Sequence, residues 1–210
     1  MGGDSFTAGE SGSPLAAVAE AFEELARSFQ DCSTDLRLAP FSDACALIPV
    51  LFGCIGFAFK FAEMEYVSKV NNLLEASKTY DTLSNILDDD VKHDTARKPE
   101  SHSQNLCRVR LGLDLIRALF EQFLTANECS LKEAALAAYG QVCAPFHSWA
   151  TRKAIGAGMY TLPTWEQLLS RLNETDHSVQ KEMRRYIDAS SLIIQYIDTL
   201  FLSRNISLDW

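Results

Sequence analysis

The sequence predicts an all-α domain, on three observations. Apolar residues recur at helical spacing in nearly every segment after Pro14, beginning with Leu15, Val18, Ala19, Phe22, Leu25, Ala26 and Phe29. No stretch alternates apolar and polar residues convincingly with period two, as a half-buried strand would. Helix punctuation also falls where it should: Ser13-Pro14 is a cap followed by proline, and Thr161-Leu162-Pro163-Thr164 is a turn followed by a cap. Several of these helices are apolar on two sides, which predicts two packed layers of roughly eight helices rather than a simple four-helix bundle.

In order, residues 1–13 are rich in Gly, Ser and acid and read as a disordered tail, with a single domain over 14–210. The first helix follows Pro14. A polar link, DCSTDLRLAP, leads to a second helix near Phe41. That helix carries the longest uncharged run, Ala44 to Phe59, and should bend or break near Pro49 or Gly53 to Gly56. The run is sixteen residues, against about 20 needed to span a bilayer, so it reads as buried core. A third helix covers about Gly56 to Ser77. A shorter one turns Leu83, Ile86 and Leu87 inward and should end at the acids Asp88, Asp89 and Asp90. Residues 92–100 form a basic-leaning loop. Helices over Leu131 to Val142, His147 to about Met159, up to Leu172, and Asp176 to Leu202 complete the chain.

The stretch from Gln104 to Phe123 is the predicted centre. Arg110, Asp114, Arg117 and Glu121 fall on one narrow stripe, expected to be a solvated seam laced with opposite charges. Most of the remaining circumference is apolar, so the helix should lie between other elements. Gln104 and Arg108 break that surround on the side opposite the seam. Taking a lone guanidinium out of water costs several kcal/mol even after relaxation. Arg108 therefore snorkels to solvent, pairs with an acid of a neighbouring helix, or serves an anion from outside the chain.

The 28 acids and 19 bases leave a net charge of −9, which argues against nucleic acid as a partner because phosphates demand a basic field. The six cysteines lack a C-x-x-C pair and read as reduced thiols of a cytoplasmic protein. No catalytic motif is present, and His93, His102, His147 and His177 have no metal-ligand spacing. The expectation is a non-enzyme with no cofactor and no metal.

Three segments combine into a pattern. Glu65 and Lys69 stand one turn apart in FAEMEYVSKV. Arg108 precedes Val109 and the pair Gly112-Leu113 on the central helix. Ala144-Pro145-Phe146-His147-Ser148-Trp149 follows, read as a proline-started helix with His147 in its first turn. Together they resemble the glycolipid transfer protein superfamily over nearly the whole chain from Pro14, and in particular its plant ceramide-1-phosphate carriers.

That resemblance implies a two-layer α-helical sandwich, with lipid chains between the layers and the headgroup in a surface cleft. It places Glu65 at the family's aspartate for the ceramide amide, Lys69 at a headgroup lysine and His147 at the histidine for the ceramide carbonyl. Arg108 stands where sugar binders have a stacking tryptophan and phosphate binders an arginine. Trp149 stands at a membrane-contact position, with Arg152, Lys153 and Tyr160 beside it. Arg97 is an additional phosphate candidate. Two positions depart from the family: Glu65 is one methylene longer, and Gln104 replaces a second arginine. The implied function is intermembrane transfer of a ceramide-1-phosphate-class sphingolipid by a cytoplasmic protein that touches membranes transiently. The alternative is a non-transferring interaction module of the same fold.

Overall fold

The computed structural model describes residues 12–32, 35–125 and 130–208. The described residues form ten α-helices: α1 (Pro14–Cys32), α2 (Leu38–Cys45), α3 (Pro49–Ile55), α4 (Lys60–Ala76), α5 (Leu83–Lys92), α6 (His102–Thr125), α7 (Leu131–Val142), α8 (Trp149–Gly158), α9 (Trp165–Leu172) and α10 (Asp176–Ser203). Residues 1–11 of the expected tail lie outside the described residues. Ser13 caps α1 as expected, its Oγ accepting from Ala16 N at 3.2 Å.

The count exceeds the expected eight chiefly because the apolar run is broken. By length and composition Leu38–Ile55 could cross a membrane, but half of that window is buried inside the domain. It turns at residues 46–48 ahead of Pro49, and α3 then ends at Gly56 with φ +118°, a conformation glycine alone adopts readily.

Helix α6 is the shared element. At about 100° per residue its Asn105, Arg108 and Gly112 face α4, while Arg110, Leu113 and Arg117 point nearly the opposite way. On that far side Tyr186 Oη of α10 donates to Leu113 O at 3.2 Å. The Tyr186 ring also meets Phe120 and Phe22 edge-on, at 5.6 and 5.3 Å. The helix is thus covered on both sides, as its apolar circumference required.

Two expectations need correcting. The charged seam of α6 is not solvated. Arg110 donates to Asp198 of α10 at 2.8 and 2.7 Å and to Asp114 at 2.9 Å, while Arg117 donates to Asp114. The seam faces α10, and an acid from that helix completes the pairing that allows it to be covered. The acids of α5 do not end that helix either; it runs on to Lys92. Asp90 is buried and accepts from Ser103 N at 2.6 Å, Ser103 Oγ at 2.7 Å and Thr95 Oγ1 at 2.7 Å. One carboxylate therefore caps the first turn of α6 and fixes the loop before it.

Cys45, Cys107 and Cys143 are buried and Cys54 half-buried, all without a disulfide. The Cys129 side chain and that of Cys32 lie outside the described residues. Helix α8 differs from the others in burying none of its residues.

The spacing of α4 and α6 is set at Gly112. A Cβ there would sit 2.4 Å from Cδ2 of the Tyr66 ring, which is itself buried and donates to Cys45 O at 3.3 Å. Gly112→Ala gains about 1 kcal/mol of helix propensity but forces an overpacked contact costing roughly 1–3 kcal/mol. The net result should be a lower denaturant midpoint and melting temperature, where the same change at an open helical glycine such as Gly140 stabilises.

Candidate functional site

Helices α4 and α6 run antiparallel, with Tyr66 at Gly112, Glu65 near Arg108 and Asn72 at Asn105. This pairing brings the first polar groups together. Arg108 Nε lies 3.8 Å from Glu65 Oε1, an ion pair too long for a hydrogen bond. The Arg108 side chain is 26% exposed and that of Glu65 58%. Arg108 thus takes a middle course among its three options: loosely paired, with its donors open to a cleft.

That cleft is a narrow cavity of about 80 Å³ lined by Glu65, Tyr66, Arg108, Gly112, Cys143 and His147, among others. His147 comes from the stretch between α7 and α8. Contrary to the expectation, it is not in a helix's first turn. Pro145 sits in a 3-10 turn, His147 is extended (φ −105°, ψ 143°), and Ser148 caps α8 by accepting from Thr151 N. The extended residue brings the ring back over α7, where Tyr139 Oη lies 2.9 Å from Nδ1. Burial, and then the neighbouring Arg108, hold the imidazole below its ordinary pKa, so it is neutral at neutral pH. The tautomer in which Tyr139 donates to Nδ1 carries its ring proton on Nε2, where it can donate to a ligand carbonyl. Cys143, pushed up to about 12 by burial, stays a neutral thiol in the same wall.

Five residues (Ala62, Glu65, Leu115, Cys143 and His147) also line a second cavity of about 490 Å³. Its remaining walls are mostly apolar: Phe57, Phe59, Phe61, Ile155 and Met159 under α8. This volume falls within the range of about 300–1,000 Å³ usual for small-molecule sites. A polar cleft therefore opens into an apolar chamber. A larger groove of about 710 Å³ between α1 and α2 is rimmed by Glu24, Asp35 and Asp43 against Arg37, which is the wrong charge for an anion.

Lys69 lies one turn along α4 from Glu65 and is buried, but it does not line the Arg108 cavity. Its Nζ donates to Glu100 Oε1 at 2.6 Å. Gln104 accepts from Glu100 N at 2.7 Å. Arg97 is exposed on the same loop and lines neither cavity. Trp149, Arg152, Lys153 and Tyr160 are exposed on or just after α8. Lys153 Nζ stands 5.8 Å from the Trp149 ring centre, and Lys132 Nζ lies 3.4 Å over Tyr160.

Sequence reasoning missed Phe57, Phe61, Tyr139 and Glu100. Phe61 is 82% exposed and Phe57 76%, both at the mouth of the apolar chamber. Their signal was present: they are large apolar residues off the apolar stripe of the helix expected over about Gly56 to Ser77. Glu100 and Tyr139 had none, because their roles depend on contacts across a loop and a break.

With this geometry the family is defined. The profile "Glycolipid transfer protein (GLTP)" matches residues 36–174, and the chain belongs to that family. Within it, the chain is 62% identical to the "ACD11 homolog protein" of Arabidopsis thaliana, covering 94% of this chain and 89% of the relative. It is 44% identical to "Accelerated cell death 11" of the same plant, covering 96% of this chain and 98% of that protein. A crystal structure of a variant of the latter, complexed with C12 ceramide-1-phosphate, superposes with a TM-score of 0.91 over 96% of this chain and all of that one. Mouse ceramide-1-phosphate transfer protein, 16% identical, shares the fold with a TM-score of 0.83 over 93% of this chain and 98% of its own.

The His147 environment gives a signed pH dependence. Its depressed pKa leaves stability full above the ordinary value of 6.5 and lowers it as pH falls through the folded-state value, because the unfolded state then binds the extra proton. The His147 ring should titrate in NMR with a midpoint below 6.5, and Arg108→Leu should move that midpoint up without restoring it fully.

Proposed function

We propose that this protein carries ceramide-1-phosphate-class sphingolipids between membranes, as a cytoplasmic protein peripheral to the bilayer. The observation that carries this reading is the continuous path from Arg108, Glu65 and His147 on one polar rim into an apolar chamber. The complex of the 44%-identical relative with ceramide-1-phosphate supports the ligand class.

Arg108 holds the phosphate, because a guanidinium offers paired donors that match phosphate oxygens. Lys69 supplies a second cation, and Arg97 on the neighbouring loop would add an outer one. Glu65 accepts from the ceramide amide and hydroxyl, and His147 Nε2 donates to the carbonyl. The chains occupy the chamber between α4 and α8. Two long chains carry roughly 30 methylenes, and at about 0.8 kcal/mol each water is closed to them by more than 20 kcal/mol. Extraction therefore requires docking first. Phe57, Phe61, Trp149 and Tyr160 enter the interface, with Arg152 and Lys153 meeting anionic headgroups. Carriage of this kind needs no covalent step, cofactor or metal.

Vesicle-to-vesicle transfer with several headgroups tests the assignment. A charge-assisted bond is worth about 1.5–3 kcal/mol, so Arg108→Leu should slow ceramide-1-phosphate transfer roughly ten- to hundredfold. Transfer as fast as wild type removes Arg108 from the headgroup site. Slow transfer of every sphingolipid by the wild type would favour an interaction module instead. The paired change Phe61→Ser and Trp149→Ala should cut the transfer rate severalfold while leaving affinity for a short-chain soluble ligand unchanged.

A further inference from the structure

Lys69 is an anion seat that is already filled from within the chain. Glu100 Oε1 accepts from Lys69 Nζ at 2.6 Å, and Glu100 Oε2 accepts from Asn72 Nδ2 at 3.1 Å. The two carboxylate oxygens thus engage an ammonium and an amide side by side, as two oxygens of a phosphate would. Among the described residues the Lys69 ammonium has no other acceptor.

The backbone of Glu100 is built to present this carboxylate. Its φ is +63°, in the left-handed region that side chains other than glycine's rarely adopt. Gln104 Oε1 pins its N–H at 2.7 Å, and Asn105 Nδ2 donates to its carbonyl at 3.4 Å. The loop before it is fixed by Asp90. An arginine at 104 could not play this part, since a guanidinium accepts no hydrogen bond. Glutamine at 104 therefore both removes a cation and secures an anion.

While the backbone is held, the carboxylate is not. The Glu100 side chain is 64% exposed, so rotation about its own torsions returns it to water without moving the loop or uncovering core. With Glu100 seated, Lys69 and Arg108 are balanced by Glu65 and Glu100. With it turned out, two cations face one acid, and an anionic headgroup gains both the charge and the donors.

We infer that Glu100 is an internal competitor for the headgroup's seat on Lys69, displaced by side-chain rotation when a phosphorylated sphingolipid enters. The residue thereby sets headgroup selectivity: it opposes ligands that need Lys69 and leaves uncharged ceramide unaffected. This rests on the carrier reading above and specifies how its polar cleft discriminates.

Calorimetric titration with short-chain ceramide-1-phosphate, short-chain ceramide and inorganic phosphate separates the cases. An ion pair open to solvent on one side opposes binding modestly, so Glu100→Gln should tighten ceramide-1-phosphate binding about two- to fivefold. Ceramide binding should not change, the melting temperature should fall slightly because buried Lys69 loses its carboxylate, and the gain should vanish in a Lys69→Met background. Unchanged or weaker ceramide-1-phosphate binding by Glu100→Gln, with Arg108→Leu still defective, overturns the competitor role and leaves the carrier reading standing. Arg108→Leu binding as well as wild type overturns both. Inorganic phosphate should bind neither form; saturable phosphate binding by Glu100→Gln as tight as the lipid's would make the seat a free-phosphate site and overturn the headgroup assignment.

Discussion

The close approach of α4 to α6 at Gly112 is the constraint on which the rest depends. The Tyr66 ring occupies the space where any other residue's Cβ would be, and its hydroxyl is tied to the end of α2. That contact sets both the separation and the register of the two helices. Register decides which side chains meet: Glu65 beside Arg108, and Lys69 and Asn72 beside the loop that enters α6. A slip of one turn would exchange every partner along the strip. The absence of a side chain at position 112 is thus a condition for the polar cleft.

The cleft and the chamber divide the work by the strength of their forces. Apolar burial is large and indifferent to headgroup identity, so it holds a lipid without choosing one. The polar strip contributes far less but is directional. Its groups are kept partly satisfied in the absence of a ligand: Arg108 by a distant carboxylate, Lys69 by a close one, His147 by Tyr139. A buried charge left without any partner would be expensive. Loose or exchangeable internal partners keep the free protein stable and still let a stronger partner replace them.

How much was legible follows from the range of each interaction. The extents of α7 and α10 were readable to a residue or so, because caps and periodicity are local. Arg108 stood out because a guanidinium opposite a charged seam on an apolar helix is a local anomaly. The seam's burial was hidden, since Asp198 lies in another helix 88 residues away. The same holds for Asp90, which looked like the end of a helix and is instead the cap of the next. His147 lines the cleft with Arg108 and Glu65 but is extended rather than in the first turn of a helix, because proline starts a 3-10 turn as readily as a helix. Phe57 and Phe61 were visible as misplaced apolar residues, yet only the chamber beside them explains the misplacement.

Helix α8 roofs the apolar chamber and buries none of its own residues. Regions with few buried contacts open at far lower free energy than the global unfolding transition. Lifting this roof leaves the aromatic cluster around Tyr186 intact, because Tyr186, Phe22 and Phe120 all lie outside α8. Amide protons of α8 should accordingly exchange with solvent long before those of α6. On the proposed carrier reading, a chamber whose wall breathes can admit tails of different length beneath one set of headgroup contacts.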